Sequence, residues 1–204
     1  MNTSKDTIYR LRPHDADSFD PARRWINEIA SQLFCNECNS LLELDKAVDC
    51  VVQNPHRDSD LDFVFGFRLI VARSNLLMAL GESTVEKCFY SGKVLDEAGL
   101  DLANYRTVIG REQLYVRGTK CEHRICPTCD TLLYRPLGDL YVVRPSRSFP
   151  IYQSQSVDLL VCQELYKTRL GNRKLERVQI LELPIIETPL DGLPLNLSDL
   201  REGK

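Results

Sequence analysis

CNECNSLL at residues 35–42 and CPTCDTLL at residues 126–133 decide how this chain is read. The second stretch lies 91 positions after the first, and the match continues beyond the motif. The same offset pairs Val51-Val52 with Val142-Val143. At an offset of 90, LIV at 69–71 meets LLV at 159–161, and Leu80-Gly81 meets Leu170-Gly171. Val85, Cys88 and Tyr90 likewise meet Leu175, Val178 and Ile180. A single-residue slip covers the whole alignment. The pattern reads as an internal duplication in which each half contributes one CxxC knuckle, and two knuckles make one four-thiolate metal site.

The ligand set follows from the residue types. Thiolates are soft donors that favour zinc in tetrahedral geometry. Cys35, Cys38, Cys126 and Cys129 are the expected ligands, and four of them leave no open coordination position, so the expected ion is structural zinc rather than catalytic. The residue after the second Cys of a knuckle often needs a positive φ. Asn39 and Asp130 stand there, and these types tolerate that conformation best after glycine. The 87 residues between the two motifs are many for a small zinc ribbon. Two related halves packed about a pseudo-two-fold axis would bring the knuckles together. A structural zinc site is worth roughly 10–16 kcal/mol in a peptide, so the ion is expected to decide whether the halves stay joined.

Each half is expected to run knuckle, strand, strand, helix, strand. In the first half the elements are Val51-Val52, a strand over 63–71, a helix over 74–80 and a strand over 86–90. In the second they are Tyr141–Val143, 157–161, a helix over 163–170 and a strand over 175–183. Gly81 and Gly171 are read as left-handed residues closing the two helices. Ahead of the first knuckle, residues 7–12 read as a strand, and Pro21 opens a short helix through Trp25 and Leu33. The fold class is α+β. Residues 1–34 form an N-terminal segment, 35–95 the first repeat, 96–125 a connector with a strand at 114–117, 126–185 the second repeat, and 186–204 an extended, partly mobile tail. All belong to one compact domain.

Bulk properties set limits. The 204 residues are 43% hydrophobic and 27% charged, enough apolar material for a packed core. The net charge of -3 gives no overall basic surplus for holding nucleic acid. The start, MNTSKDTIYRLRP, has no signal-peptide core, and no apolar run reaches the length of a membrane span. The expected setting is therefore the reducing cytoplasm, where paired CxxC motifs mean metal or redox chemistry.

Other polar residues carry weaker signals. Cys121 and His123 precede the second knuckle and could substitute as ligands, but they have no counterpart in the first half. Cys88 and Cys162 align with aliphatic residues and read as buried hydrophobes; Cys50 is less clear-cut, aligning with Tyr141. His14, His56 and His123 are scattered and form no catalytic grouping. Asp58, Asp60 and Asp62 alternate at strand spacing, the pattern of a solvated turn leading into an edge strand. Lys167, Arg169, Arg173, Lys174 and Arg177 form a basic stretch, read as a solvated helix end or a phosphate contact.

An N-terminal YRL strand, a tryptophan just before the first CxxC, a second CPxC near two-thirds of the chain and the closing VDLLVCQELYKTRLGNRKLERVQILELP unit together carry a resemblance. The chain resembles the double-CXXCG motif proteins, which in turn resemble bacterial immunity proteins paired with polymorphic toxins. The likeness covers most of residues 7–185, although Asn39 and Asp130 stand where the family motif has glycine. It implies Cys35, Cys38, Cys126 and Cys129 as metal ligands, no catalytic residue, and a protein partner such as a toxin. The expectation is thus a non-enzymatic, zinc-stabilised binding protein, with a zinc-ribbon-like nucleic-acid binder and a CxxC thiol oxidoreductase as alternatives.

Overall fold

A computed structural model describes residues 6–14, 18–53, 58–197 and 199–202. His56, part of the NPHRDSD turn and part of the HDADSFDP run lie outside the described residues. The chain is α+β, with eleven strands in two curled sheets and a few short helices among the described residues. None of these helices is long and apolar enough to cross a membrane.

The strands are β1 (Thr7–Pro13), β2 (Cys50–Val51), β3 (Leu61–Phe63), β4 (Ile70–Arg73), β5 (Phe89–Leu95), β6 (Asp101–Gly110), β7 (Val116–Ile125), β8 (Leu132–Val143), β9 (Ile151–Gln153), β10 (Leu159–Cys162) and β11 (Val178–Ile186). One sheet has the order β2-β5-β6-β4-β3 and the other β7-β8-β11-β1-β10-β9. Each closes on itself. Residues 19–22 bridge the two edges of the first sheet: Phe19 pairs in parallel with Val64, and Pro21 pairs antiparallel with Val52. Residues 113–116 do the same in the second, through parallel Gln113–Gln153 and antiparallel Val116–Val142. Closure leaves little unpaired edge in either ring.

The two rings are laid out alike. Going round the first, β3–β4, β4–β6 and β6–β5 are antiparallel and β5–β2 is parallel. Going round the second, β9–β10, β10–β1 and β1–β11 are antiparallel and β11–β8 is parallel. The third place is held by β6 in one ring and by β1 in the other. Each ring therefore contains one strand from the opposite half of the sequence. Beyond its ring, the β7–β8 pair runs out as a two-stranded ribbon with the second knuckle at its tip.

Three apolar layers result. Inside the first ring lie Phe19, Trp25, Val71, Val94 and Ile109. Inside the second lie Ile8, Val142, Tyr152, Leu160 and Leu183. Between the rings, Leu11, Ile70, Ala72, Leu159, Val161 and Leu170 form a shared layer. Successive residues of a strand face opposite sides, so Val71 and Leu160 point into their rings while their neighbours meet between them. That is why LIV and LLV are continuous apolar runs: these strands are buried on both faces. The shared layer and the exchanged strands also join the halves, so a metal ion is not their only connection.

Several expected elements shift. The strand expected over 63–71 is a hairpin, β3 and β4, turning through Gly66 at φ 78°. The helix over 74–80 forms as α3 (Ser74–Leu80), but residues 86–88 belong to a further helix, α4 (Glu82–Cys88). The helix after Pro21 combines α1 (Arg23–Trp25), a π-helical turn (Ile26–Ala30) and α2 (Ser31–Leu33). That over 163–170 is α5 (Gln163–Leu165) followed by a π-helical turn (Tyr166–Leu170). Gly81 has a positive φ of 92°, whereas Gly171 is right-handed at φ -57°. The connector of 96–125 contains the whole of β6 and β7, two of the longest strands.

Described residues of the tail pack against the β7–β8 ribbon. Leu197 is buried against Leu132 and Tyr134, with Leu193 and Leu200 packed on the same cluster. Arg117 pairs with Asp191, the two side chains only 2% and 0% exposed. Its guanidinium also donates to the carbonyls of Leu193, Pro194 and Leu195. Tyr134 donates its hydroxyl to Asp191 at 2.8 Å, and Tyr141 accepts the backbone N–H groups of Leu190 and Asp191. A short helix, α6 (Asp199–Glu202), ends the described chain.

Candidate metal centre

Each knuckle is the turn of a small hairpin. Phe34 pairs with Leu41 around the first, and Ile125 with Leu132 around the second. Inside the turns, the Cys35 N–H donates to Ser40 O and the Cys126 N–H to Thr131 O, both at 2.9 Å. The Asn39 N–H then donates to Cys35 O at 2.9 Å and the Asp130 N–H to Cys126 O at 3.0 Å. These bonds force the residue after the second cysteine into the left-handed region, and Asn39 and Asp130 sit at φ 54° and 55°. The two turns agree bond for bond at the offset of 91.

The turns meet. The sulfurs of Cys35, Cys38, Cys126 and Cys129 all lie within 4.8 Å of one another. Cys35 Sγ is 3.8 Å from Cys126 Sγ, and Cys38 Sγ is 3.5 Å from Cys129 Sγ. A tetrahedron with metal–sulfur bonds near 2.3 Å has an edge of about 3.8 Å. The spacing thus fits one ion held by four sulfurs, two from each half. Cys35 and Cys126 are buried, while Cys38 and Cys129 are half-buried. A cleft of about 200 Å³, lined by Leu42, Arg68, Thr131 and Gln155, opens beside Cys129.

Polar groups surround the sulfurs. Glu37 reaches across from the first knuckle, accepting the Thr128 hydroxyl at 2.8 Å and approaching Cys126 Sγ at 3.9 Å. Thr131 Oγ1 lies 3.2 Å from Cys129 Sγ. Burial raises the Cys38 thiol, but neighbouring Ser40, with Cys129 and Cys126, outweighs it and brings the pKa to about 7. Cys129 moves the other way: burial, with Cys38 and Cys35, outweighs Thr131 and pushes it to about 11. Without a cation the four sulfurs do not ionise together, because each thiolate disfavours the next. A bound divalent ion would reverse that order.

The other sequence candidates lie elsewhere. Cys121 Sγ is 3.9 Å from His123 Nδ1, but neither belongs to the four-sulfur cluster. Cys50 and Cys88 are fully buried and burial raises both thiols, Cys50 to about 12, as small core hydrophobes require. Cys162 is only half-buried. Asp60 and Asp62 are not part of a solvated turn, being 7% and 1% exposed. Asp60 accepts the Glu176 N–H at 2.9 Å and Asp62 the Phe63 N–H at 2.9 Å, so these carboxylates serve the backbone. Asp58 is exposed, as are Lys167, Arg169, Arg173, Lys174 and Arg177. His14 is exposed, with its backbone N–H bound to Arg177 O.

Glu37, Thr128, Ser40 and Thr131 were not singled out in the sequence. The last two had a signal, a hydroxyl residue two places after the second cysteine in both knuckles. Glu37 and Thr128 had none, because each occupies the variable part of its motif. No family model matches this chain, and no curated protein matches it.

Proposed function

We propose that this protein is a non-enzymatic binding protein in which one structural zinc ion ties together two duplicated halves. The observation that carries the reading is the four-sulfur cluster, built equally by both knuckles, with enough sulfurs to fill the coordination of one zinc ion. A closed site of this kind holds a shape and offers substrate no position on the metal. The matching ring layouts, with β1 and β6 in equivalent places, support the duplication. The duplicated unit then begins one strand earlier than the knuckle.

The function that suits such a scaffold is recognition of a partner protein. Following the likeness to double-CXXCG proteins, the partner is a toxin and the role is immunity by occluding the toxin. The test is co-expression with the product of an adjacent gene. Growth arrest by that product, relieved by this chain and not by its Cys38→Ser, Cys129→Ser variant, is the expected result. Unrelieved arrest, or a neighbour without toxicity, overturns the immunity reading. Native mass spectrometry tests the metal separately: one zinc per chain is expected, absent from the variant.

A second reading, nucleic-acid binding, has one observation in its favour. Arg73, Arg173 and Lys174 line a cleft of about 540 Å³ between the two halves. Asp60 and Glu176 share that cleft, which reduces its positive character. Binding of RNA or DNA that falls steeply with added salt would support this second reading.

A further inference from the structure

We infer that Ser40 and Thr131 are positioning residues of the metal centre, each donating its hydroxyl proton to the thiolate of the second cysteine in its knuckle. The acceptors are Cys38 and Cys129. The inference rests on the metal reading above.

Thr131 Oγ1 already lies 3.2 Å from Cys129 Sγ. Ser40 holds the same place in the first knuckle, two residues after Cys38. It is only 5% exposed, and its hydroxyl oxygen is shut off from solvent with no hydrogen-bond partner among the described residues. A buried hydroxyl left without a partner is unfavourable, and native structures contain few of them. A neutral thiol is a weak hydrogen-bond acceptor. A thiolate is charged and accepts a stronger bond. The unsatisfied donor therefore acquires its acceptor in the metal-loaded state.

Charge gives the arrangement its purpose. Four thiolates around one divalent ion leave excess negative charge, and the Glu37 carboxylate adds to it near Cys126. Cys38 and Cys129 are the two half-buried sulfurs, so they are the ones open to electrophiles and competing metals. Hydrogen bonds there draw charge off the exposed sulfurs and fix their direction toward the ion. The buried pair, Cys35 and Cys126, is protected by burial instead.

Cobalt(II) alone, titrated into the purified full-length chain, provides the test. Its sulfur-to-metal charge-transfer band reports the electron density on each thiolate. Ser40→Ala and Thr131→Val are each expected to move the band to longer wavelength and to weaken cobalt binding by about 10- to 100-fold. Ser40→Thr and Thr131→Ser keep the hydroxyl and are expected to restore both. A band and affinity unchanged in the hydroxyl-free variants would overturn the inference. Absence of any thiolate–cobalt band in the unsubstituted chain would instead overturn the metal reading. The two positions are tested separately, so a variant that misfolds at one leaves the other to decide.

Discussion

Asp191→Ala removes the carboxylate that holds the C-terminal segment to the knuckle-bearing ribbon. With the segment still docked, Arg117 would remain only 2% exposed with no counter-charge, and the Tyr134 hydroxyl would lose its acceptor. Removing one partner of a buried pair costs about 3–5 kcal/mol. Releasing the segment instead would hydrate Arg117 but uncover Leu193 and Leu197, at roughly 1.5–3 kcal/mol for a fully buried side chain. The two costs are comparable, so the segment is expected to detach for part of the time. For a chain of this size, each kcal/mol moves Tm by about 2–4 °C, so a loss of roughly 6–20 °C is expected. Thermal unfolding followed by near-ultraviolet dichroism reads it, since Tyr115 and Tyr134 stack edge-to-face beneath the segment. Limited proteolysis should cut within 187–202 in the variant first. A Tm shift below about 2 °C with the segment still protected would refute the reasoning. The double variant Arg117→Met, Asp191→Leu should recover part of the loss, because an apolar pair leaves no stranded charge.

Acid should act on the same contact. Burial raises Asp191, but hydrogen bonds from Arg117, Tyr134 and the Leu193 N–H outweigh it and hold the carboxyl below the usual carboxylate range. Its contribution is therefore full above about pH 4 and is lost as pH falls through the depressed value; Asp191→Asn should flatten that part of a stability–pH curve. Chelation should remove the metal yet leave the far-ultraviolet dichroism of both rings largely intact, because the shared apolar layer persists; collapse of that signal would show that the ion holds the rings together. Leu159→Ala, in the layer between the rings, should cost about 2–5 kcal/mol by urea unfolding, and a cost below 1 kcal/mol would mean that the layer is loosely packed. Asn39→Val should cost about 1–2 kcal/mol through the left-handed backbone alone, whereas Asn39→Gly should be neutral or stabilising in the same assay.

The parts of this molecule that could be read from sequence are those fixed by local chemistry. A knuckle needs two cysteines, a tight turn and a residue tolerant of positive φ, all within five positions, and both copies keep that pattern. The doubly buried strands were visible as LIV and LLV, since apolar neighbours on both faces leave no polar alternation. Residues 101–125 were harder. The outer part of β7, KCEHRI, lies on a projecting ribbon and carries polar residues on both faces, so its strand character depends on pairing with β8 rather than on burial. Of the strand expected over 86–90, residues 86–88 close α4 and only 89–90 enter β5, although Cys88 aligns with Val178 at the start of β11. The clasp at Arg117 and Asp191 joins residues 74 positions apart, and a charge in a proline-rich tail gives no local sign of its burial. The exchange of β1 and β6 was hidden for the same reason: each strand has ordinary alternation, and nothing in it names the ring it enters.

That exchange imposes an order on synthesis. The first ring has all its strands once residue 110 has been made, since β6 is its last member. The second ring needs β1, whose neighbours β10 and β11 are produced only at the far end of the chain. Between residues 13 and 186, a ribosome adding 5–20 residues per second takes about 9–35 s. Until β10 and then β11 are made, β1 is without its full set of native neighbours, and its apolar side chains Ile8 and Leu11 lack their final cover. Arg10 and Arg12 flank Leu11 on the same strand. Arg10 ends buried against Asp158, itself among the late residues. Charged residues on an unpaired strand disfavour edge-to-edge pairing, and two cations stand on β1 for that wait.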